Sequence, residues 1–171
     1  YYQTIFQVRN NMANIPPFAF FGTSSFSVMI LDKLKANGFM PKLIVTVPDK
    51  PKGRKLILTP SDVKIWAQKE NVPYIQPETL KDQEVVEHIA SRLNERFGFF
   101  IVASYGKILP QTILDIPVHG VLNVHPSLLP KLRGASPIES AILKENETGV
   151  TIIKLDSQMD HGPILVQKDI P

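Results

Sequence analysis

Cysteine is missing from all 171 residues. Its absence excludes a disulfide framework and any thiolate metal site, so the chain must draw its stability from an apolar core. Long apolar runs are missing too. No stretch reaches the roughly 18 uninterrupted apolar residues that a membrane-spanning helix needs, and the opening residues lack a charged start followed by an apolar signal core. The sequence therefore predicts a soluble, cytoplasmic protein, in a bacterial cytosol or an organelle matrix. Charge of one sign is not in excess: 19 Lys and Arg face 16 Asp and Glu, a net of +3. That balance is too mild to imply a nucleic-acid partner, so the position of the basic residues matters more than their number. No Gly-x-Gly-x-x-Gly follows any apolar run, which disfavours a dinucleotide site.

What is present is ordinary globular composition, 43% hydrophobic and 20% charged, enough for one sizeable core. The 15 prolines stand mostly singly at segment edges rather than in a low-complexity run. Residues 1–17 hold no sustained period and are expected to be a disordered leader or an edge segment, with Met12 a candidate start. From Phe18 onward, apolar runs at 18–22, 43–47, 74–76, 99–104, 121–125, 151–155 and 164–167 predict strands. Helices are predicted between them at 24–37, 61–71, 82–94 and 136–144, with Asp82 as an N-cap and Trp66 as a core residue. This alternation predicts an α/β fold in which helices flank a mostly parallel central sheet. Ligands in such sheets gather beyond the carboxyl ends of the strands, which directs attention to the residues that end 121–125 and follow 151–155.

Asn123 and His125 lie two apart on the strand at 121–125, so an amide and an imidazole emerge on the same side. Two polar groups there are costly to bury without partners. Taken alone, they fit either a pocket or a satisfied pair that caps a loop. The residues around them are more specific. Asn123-Val124-His125-Pro126-Ser127-Leu128-Leu129-Pro130 resembles the signature loop of the formyltetrahydrofolate-dependent formyltransferases, and Arg133-Gly134-Ala135-Ser136-Pro137-Ile138 resembles the continuation seen in their methionyl-tRNA branch. Downstream, Met159-Asp160-His161-Gly162 resembles the family's later catalytic loop, where an Asp before a Gly would otherwise be read as a turn residue.

The resemblance spans residues 18–171 and implies a Rossmann-like formyltransferase fold. It implies transfer of a formyl group from the co-substrate 10-formyltetrahydrofolate to an amine, with no metal; His88 and His119 also lack ligand spacing. Such a transfer builds negative charge on the formyl oxygen while the amine loses a proton, so hydrogen-bond donors and a base are both required. The resemblance assigns the donors to Asn123 and His125. It assigns the proton to Asp160, which would also orient His125. By the same resemblance, Tyr105, Gly106, Lys107, Ile108 and Leu109 contact the folate, as do Ser127, Leu128, Leu129, Pro130 and Asp156. Gly22 and Thr23 belong to an opening loop near the acceptor.

Pro48-Asp49-Lys50-Pro51-Lys52-Gly53-Arg54-Lys55 carries four basic residues on an expected loop. Charge alone fits a solvated loop or a phosphate-binding one. The pattern resembles the loop that the methionyl-tRNA branch sets against the acceptor arm of initiator methionyl-tRNA, which would place Lys50, Lys52, Arg54, Lys55 and Arg133 on the tRNA side. The resemblance also implies further helices and a C-terminal β-barrel beyond this domain, so the chain reads as an incomplete formyltransferase domain, expected to be monomeric. Two alternatives stay open: a small amine acceptor such as glycinamide ribonucleotide or an amino sugar nucleotide, and an inactive folate-binding fragment.

Overall fold

The structure, a computed structural model, describes residues 15–91, 97–134, 136–145, 147–158 and 160–170. In chain order the elements are β1 (Phe18–Gly22), α1 (Ser25–Ala36), β2 (Leu43–Val45), β3 (Lys50–Lys52), β4 (Ile57–Thr59), α2 (Asp62–Lys69) and β5 (Tyr74–Ile75). They continue with α3 (Gln83–Ser91), β6 (Phe99–Ala103), α4 (Gln111–Leu114), β7 (Val121–His125), α5 (Pro137–Lys144), β8 (Thr148–Lys154) and β9 (Ile164–Ile170). Seven strands form one sheet in the order β5-β2-β1-β6-β7-β8-β9. The first five are parallel, and β8 and β9 are antiparallel to their neighbours.

The apolar runs are continuous because the inner strands are covered on both sides. Along β1, Phe18 and Phe20 pack with Leu31, Ile44, Trp66 and Ile101, while Ala19 and Phe21 turn to the other side, against Val45, Ile89, Phe100 and Val102. Each such large side chain contributes about 1.5–3 kcal/mol by leaving water. Trp66 is a core residue, as its place on the helical face implied, and its indole N–H donates to Asp32 Oδ1 at 2.7 Å. The β1–α1 turn is tight: a Cβ on Gly22 would lie 2.7 Å from that of Ser27, whose hydroxyl donates to Ala103 O at 2.6 Å. Among the described residues no helix is long and apolar enough to cross a membrane.

The structure departs from the sequence expectations at several points. The expected loop at 48–56 contains a strand, β3, paired with β4 as a small separate hairpin in which Lys50 faces Thr59. Its residues are exposed and include Pro51, so no apolar alternation announced it. The single turn α4 was also unforeseen, being too short to show a period. β8 starts three residues earlier than expected and β9 ends three later. β9 is the edge strand and exposed along its whole length, and the added residues of β8 pair with its end. Of the expected helix at 82–94, residues 92–94 lie outside the described residues, as does 1–14 of the expected leader; Pro17 O accepts from Gly98 N at 2.8 Å.

The direction of β8 has the largest consequence for the site. The chain proceeds from β1 to β2 and β5 on one side and returns to β6 and β7 on the other, so the carboxyl ends of β1 and β6 open a crevice between them. Because β8 is antiparallel, with Thr151 opposite His125 and Lys154 opposite Leu122, its own carboxyl end points away from that crevice. The chain after β8 must therefore return for Asp160 to reach Asn123 and His125. Gly162 makes the close return possible, since a Cβ there would sit 1.8 Å from Lys154 O.

Candidate functional site

A cavity of about 530 Å³ occupies this crevice, within the range of roughly 300–1,000 Å³ typical of small-molecule sites. Residues 24–26 after β1, 104–109 after β6 and 123–126 at the end of β7 form its walls. Val102, Leu109, Leu114 and Leu155 make the lining largely apolar. Ser24 and Tyr105 contribute to this lining, and their hydroxyls, shielded from solvent, have no hydrogen-bond partner among the described residues. Burial pushes the Tyr105 phenol up to about 12, so it stays protonated at neutral pH. A partnerless buried hydroxyl is costly. The cavity itself, mostly apolar with polar side chains along one wall, suits a ligand that is largely apolar and carries hydrogen-bonding groups.

The polar wall is formed by Asn123, His125 and Asp160. Asp160, only 8% exposed, accepts from Asn123 Nδ2 at 3.1 Å through Oδ1 and from Gly134 N at 2.9 Å through Oδ2. Its Oδ1 also lies 3.6 Å from His125 Nδ1, beyond ordinary hydrogen-bond length. His125 is buried, and its Nε2 is 3.0 Å from Leu132 O. A carbonyl only accepts, so Nε2 carries the hydrogen and Nδ1 is the ring nitrogen turned to the carboxylate. Leu132 and Asp160 both hold positive φ, 56° and 49°, a region that few non-glycine residues adopt. An amide, an imidazole and a carboxylate from distant parts of the chain thus meet at one wall of the cavity.

The other expected site residues divide clearly. Tyr105, Gly106, Lys107, Ile108, Leu109 and Asp156 line the cavity. Lys107 does so with its ammonium turned outward, donating to Pro77 O at 3.0 Å and Glu78 O at 2.7 Å, so it ties the 104–109 loop to the segment after β5. Asp156 accepts from Gln158 N at 2.8 Å and pairs with His161 Nδ1 at 3.1 Å. The hydrogen bond from His161 is the main cause that holds its carboxyl below the usual range. Ser127, Leu128, Leu129 and Pro130 do not line the cavity; they form a loop behind His125. Gly22 and Thr23 are also off the wall, and Thr23 Oγ1 donates to Tyr105 O at 2.8 Å.

Lys50, Lys52, Arg54 and Lys55 are exposed on the β3–β4 hairpin and its turn, outside the cavity, and Arg133 is exposed beside Gly134. The root of the hairpin is pinned by Asp49, which accepts from Lys64 Nζ at 2.6 Å and Gln76 Nε2 at 2.7 Å. These bonds, Lys64 first, hold the Asp49 carboxyl below its usual value. Sequence reasoning missed Leu114 and Leu155 on the wall, whereas Ser24 and Phe26 belong to the opening loop, Phe21 to Phe26, whose resemblance placed it near the acceptor. Isolated apolar residues carry no signal of their own before the strands are assembled.

The chain is 48% identical over 152 residues to the methionyl-tRNA formyltransferase of Thermotoga maritima, across 88% of this chain and 48% of that protein. To the methionyl-tRNA formyltransferase of Chloroflexus aurantiacus it is 50% identical over 155 residues, across 89% of this chain and 49% of that protein. It therefore spans about half the length of the curated relatives it matches. Among solved structures, phosphoribosylglycinamide formyltransferase from Bacillus halodurans superposes with a TM-score of 0.69 at 26% identity, over 90% of this chain and 79% of that one. The formyl transferase family matches residues 17–171. With that match extending over both halves of the polar wall and over the sheet that carries them, the chain belongs to the formyl transferase family.

Proposed function

We propose that the intact protein transfers a formyl group from 10-formyltetrahydrofolate to the amino group of initiator methionyl-tRNA. The observation that carries this reading is the convergence of Asn123, His125 and Asp160 on one cavity wall, with the third residue brought back by the loop after β8. The folate derivative would supply an activated formyl carbon. Its flat ring suits the apolar walls, while the backbone of residues 106–108 offers polar partners.

The three side chains divide the chemistry. Asn123 uses one N–H on Asp160 and keeps a second for the formyl oxygen as that oxygen gains charge, a donor worth about a hundred- to thousandfold in rate. Asp160 is the proton acceptor of the wall. His125 Nδ1 faces it, so the proton lost by the attacking amine has a short path between carboxylate and imidazole, and it would pass on to the folate nitrogen as the bond from that nitrogen to the formyl carbon breaks. His125 Nε2 is engaged with Leu132 O, and it becomes a donor to substrate only if that bond opens. A charged acceptor nucleic acid would approach along the exposed basic hairpin, whose four cations can replace counterions on phosphates.

The acceptor is tested by incubating the intact protein with 10-formyltetrahydrofolate and charged initiator tRNA and separating the aminoacyl products. Formylmethionyl-tRNA is the expected product. Transfer to glycinamide ribonucleotide or an amino sugar nucleotide, with none to tRNA, would overturn the acceptor assignment while leaving the formyl chemistry in place. Folate binding without transfer to any of them would overturn the activity itself.

A further inference from the structure

His125, Thr151 and Gln167 stand directly opposite one another on β7, β8 and β9. Residues paired in this way present their side chains on the same side of a sheet, so they form one row across its edge. Thr151 is fully buried, and its hydroxyl is saturated. It donates to Ser127 O at 2.6 Å and accepts from Leu129 N at 3.1 Å and Gln167 Nε2 at 2.8 Å. One donated and two accepted bonds are all that a hydroxyl can make. Gln167 Nε2 spends its other hydrogen on Leu129 O at 2.9 Å. The backbone of the loop that follows the signature strand is thus gripped from two neighbouring strands.

The grip passes to the site through the same loop. Ser127 N donates to His125 O at 2.9 Å and Ser127 Oγ to Lys131 O at 2.8 Å, while the next carbonyl, that of Leu132, holds His125 Nε2. Two residues further on, Gly134 N reaches Asp160. A slip of this loop would move the one acceptor of the imidazole and one of the two donors to the carboxylate together. Neither Thr151 nor Gln167 lines the cavity.

We propose that Thr151, supported by Gln167, is a positioning residue that sets the course of residues 127–134 and thereby the aim of His125 and Asp160. This rests on the formyl-transfer reading of the site. It also gives the backbone of Ser127 and Leu129 a supporting role in holding that loop.

The test uses the intact protein with Thr151→Val, which keeps the shape and removes the hydroxyl, Thr151→Ser, which keeps the hydroxyl, and Gln167→Met. Thr151→Val is expected to lower kcat about ten- to hundredfold. KM for the folate co-substrate and for the acceptor should stay within about threefold of wild type, because no substrate contact is lost. Thr151→Ser should restore most of the turnover, and Gln167→Met should give a smaller loss that does not add to that of Thr151→Val. The Leu129 amide should exchange faster and the His125 ring resonances should shift in Thr151→Val. Wild-type kcat in a folded Thr151→Val protein, or a Thr151→Ser protein as impaired as Thr151→Val, overturns the proposal. Should Thr151→Val not fold, Gln167→Met decides: a slower kcat with faster Leu129 exchange upholds the role, and no change in both refutes it. Should wild type transfer formyl to no acceptor, the functional reading fails separately. The His125 resonances and Leu129 exchange then judge the positioning role alone, and their indifference to Thr151→Val or Gln167→Met would refute it.

Discussion

Asp160→Asn separates the chemical role of the carboxylate from its structural one. The substitution keeps shape and volume, but Asp160 accepts at both oxygens, from Asn123 Nδ2 and from Gly134 N. An amide presents a single oxygen, so one of these donors must face an N–H group. Losing a hydrogen bond to a buried charged acceptor costs about 1.5–3 kcal/mol. In a chain of this size, each kcal/mol shifts the melting temperature by roughly 2–4 °C, so a fall of some 3–12 °C is expected. Starting from a stability of about 5–15 kcal/mol, the variant remains overwhelmingly folded at 25 °C. Turnover should fall much further. Loss of the proton acceptor removes about a hundred- to ten-thousandfold, equivalent to roughly 3–5 kcal/mol of barrier at 1.36 kcal/mol per tenfold. The assay is single-turnover formyl transfer by the intact protein at 25 °C, with a denaturant titration on the same sample. Turnover within about threefold of wild type in a folded variant would refute the assignment of Asp160 as proton acceptor.

Arg54→Ala on the basic hairpin should weaken use of tRNA and reduce the salt slope of tRNA binding by about one unit while folate binding is unchanged; an unaltered slope would remove Arg54 from the tRNA face. Asp49→Asn should lower the melting temperature at neutral pH. The Asp49 carboxyl is held below 3.8 in the folded protein, so its stabilisation is full above the ordinary carboxylate range and disappears as pH falls through the lower folded value. The gap between wild type and variant should therefore narrow in melts recorded at successively lower pH below the ordinary carboxylate range; a gap independent of pH would contradict this. Gly162→Ala should destabilise by about 1–3 kcal/mol or displace the loop after β8, because the added Cβ meets Lys154 O. Denaturant midpoints and turnover measured together would register both effects, and a neutral outcome in both would mean that the return of the loop is not tight.

Much of the fold was legible because its inner strands are buried on both sides and therefore read as unbroken apolar runs, as at Phe18, Leu43 and Phe99. Asn123 and His125 were legible as a pair because strand geometry places alternate residues together. The β3–β4 hairpin was not, since its residues face water and owe their pairing to a turn and to the Asp49 anchor. The folate-side role expected for Ser127 to Pro130 came from resemblance alone, and no local pattern says which side of that loop faces the cavity.

By itself the sequence determined the α/β alternation, the apolar strands that make the core, the absence of thiol chemistry and the placing of Asn123 and His125 on one side of a strand. These follow from side-chain type and local period, which are properties of neighbouring residues. The tertiary structure alone decided that β8 runs antiparallel, that the chain after β8 returns to bring Asp160 beside His125, and that Thr151 and Gln167 grip the loop between them. Such contacts join residues 16 to 38 apart in the chain. Their geometry is set by which strands pair and in which direction, and no local pattern of residues encodes that choice.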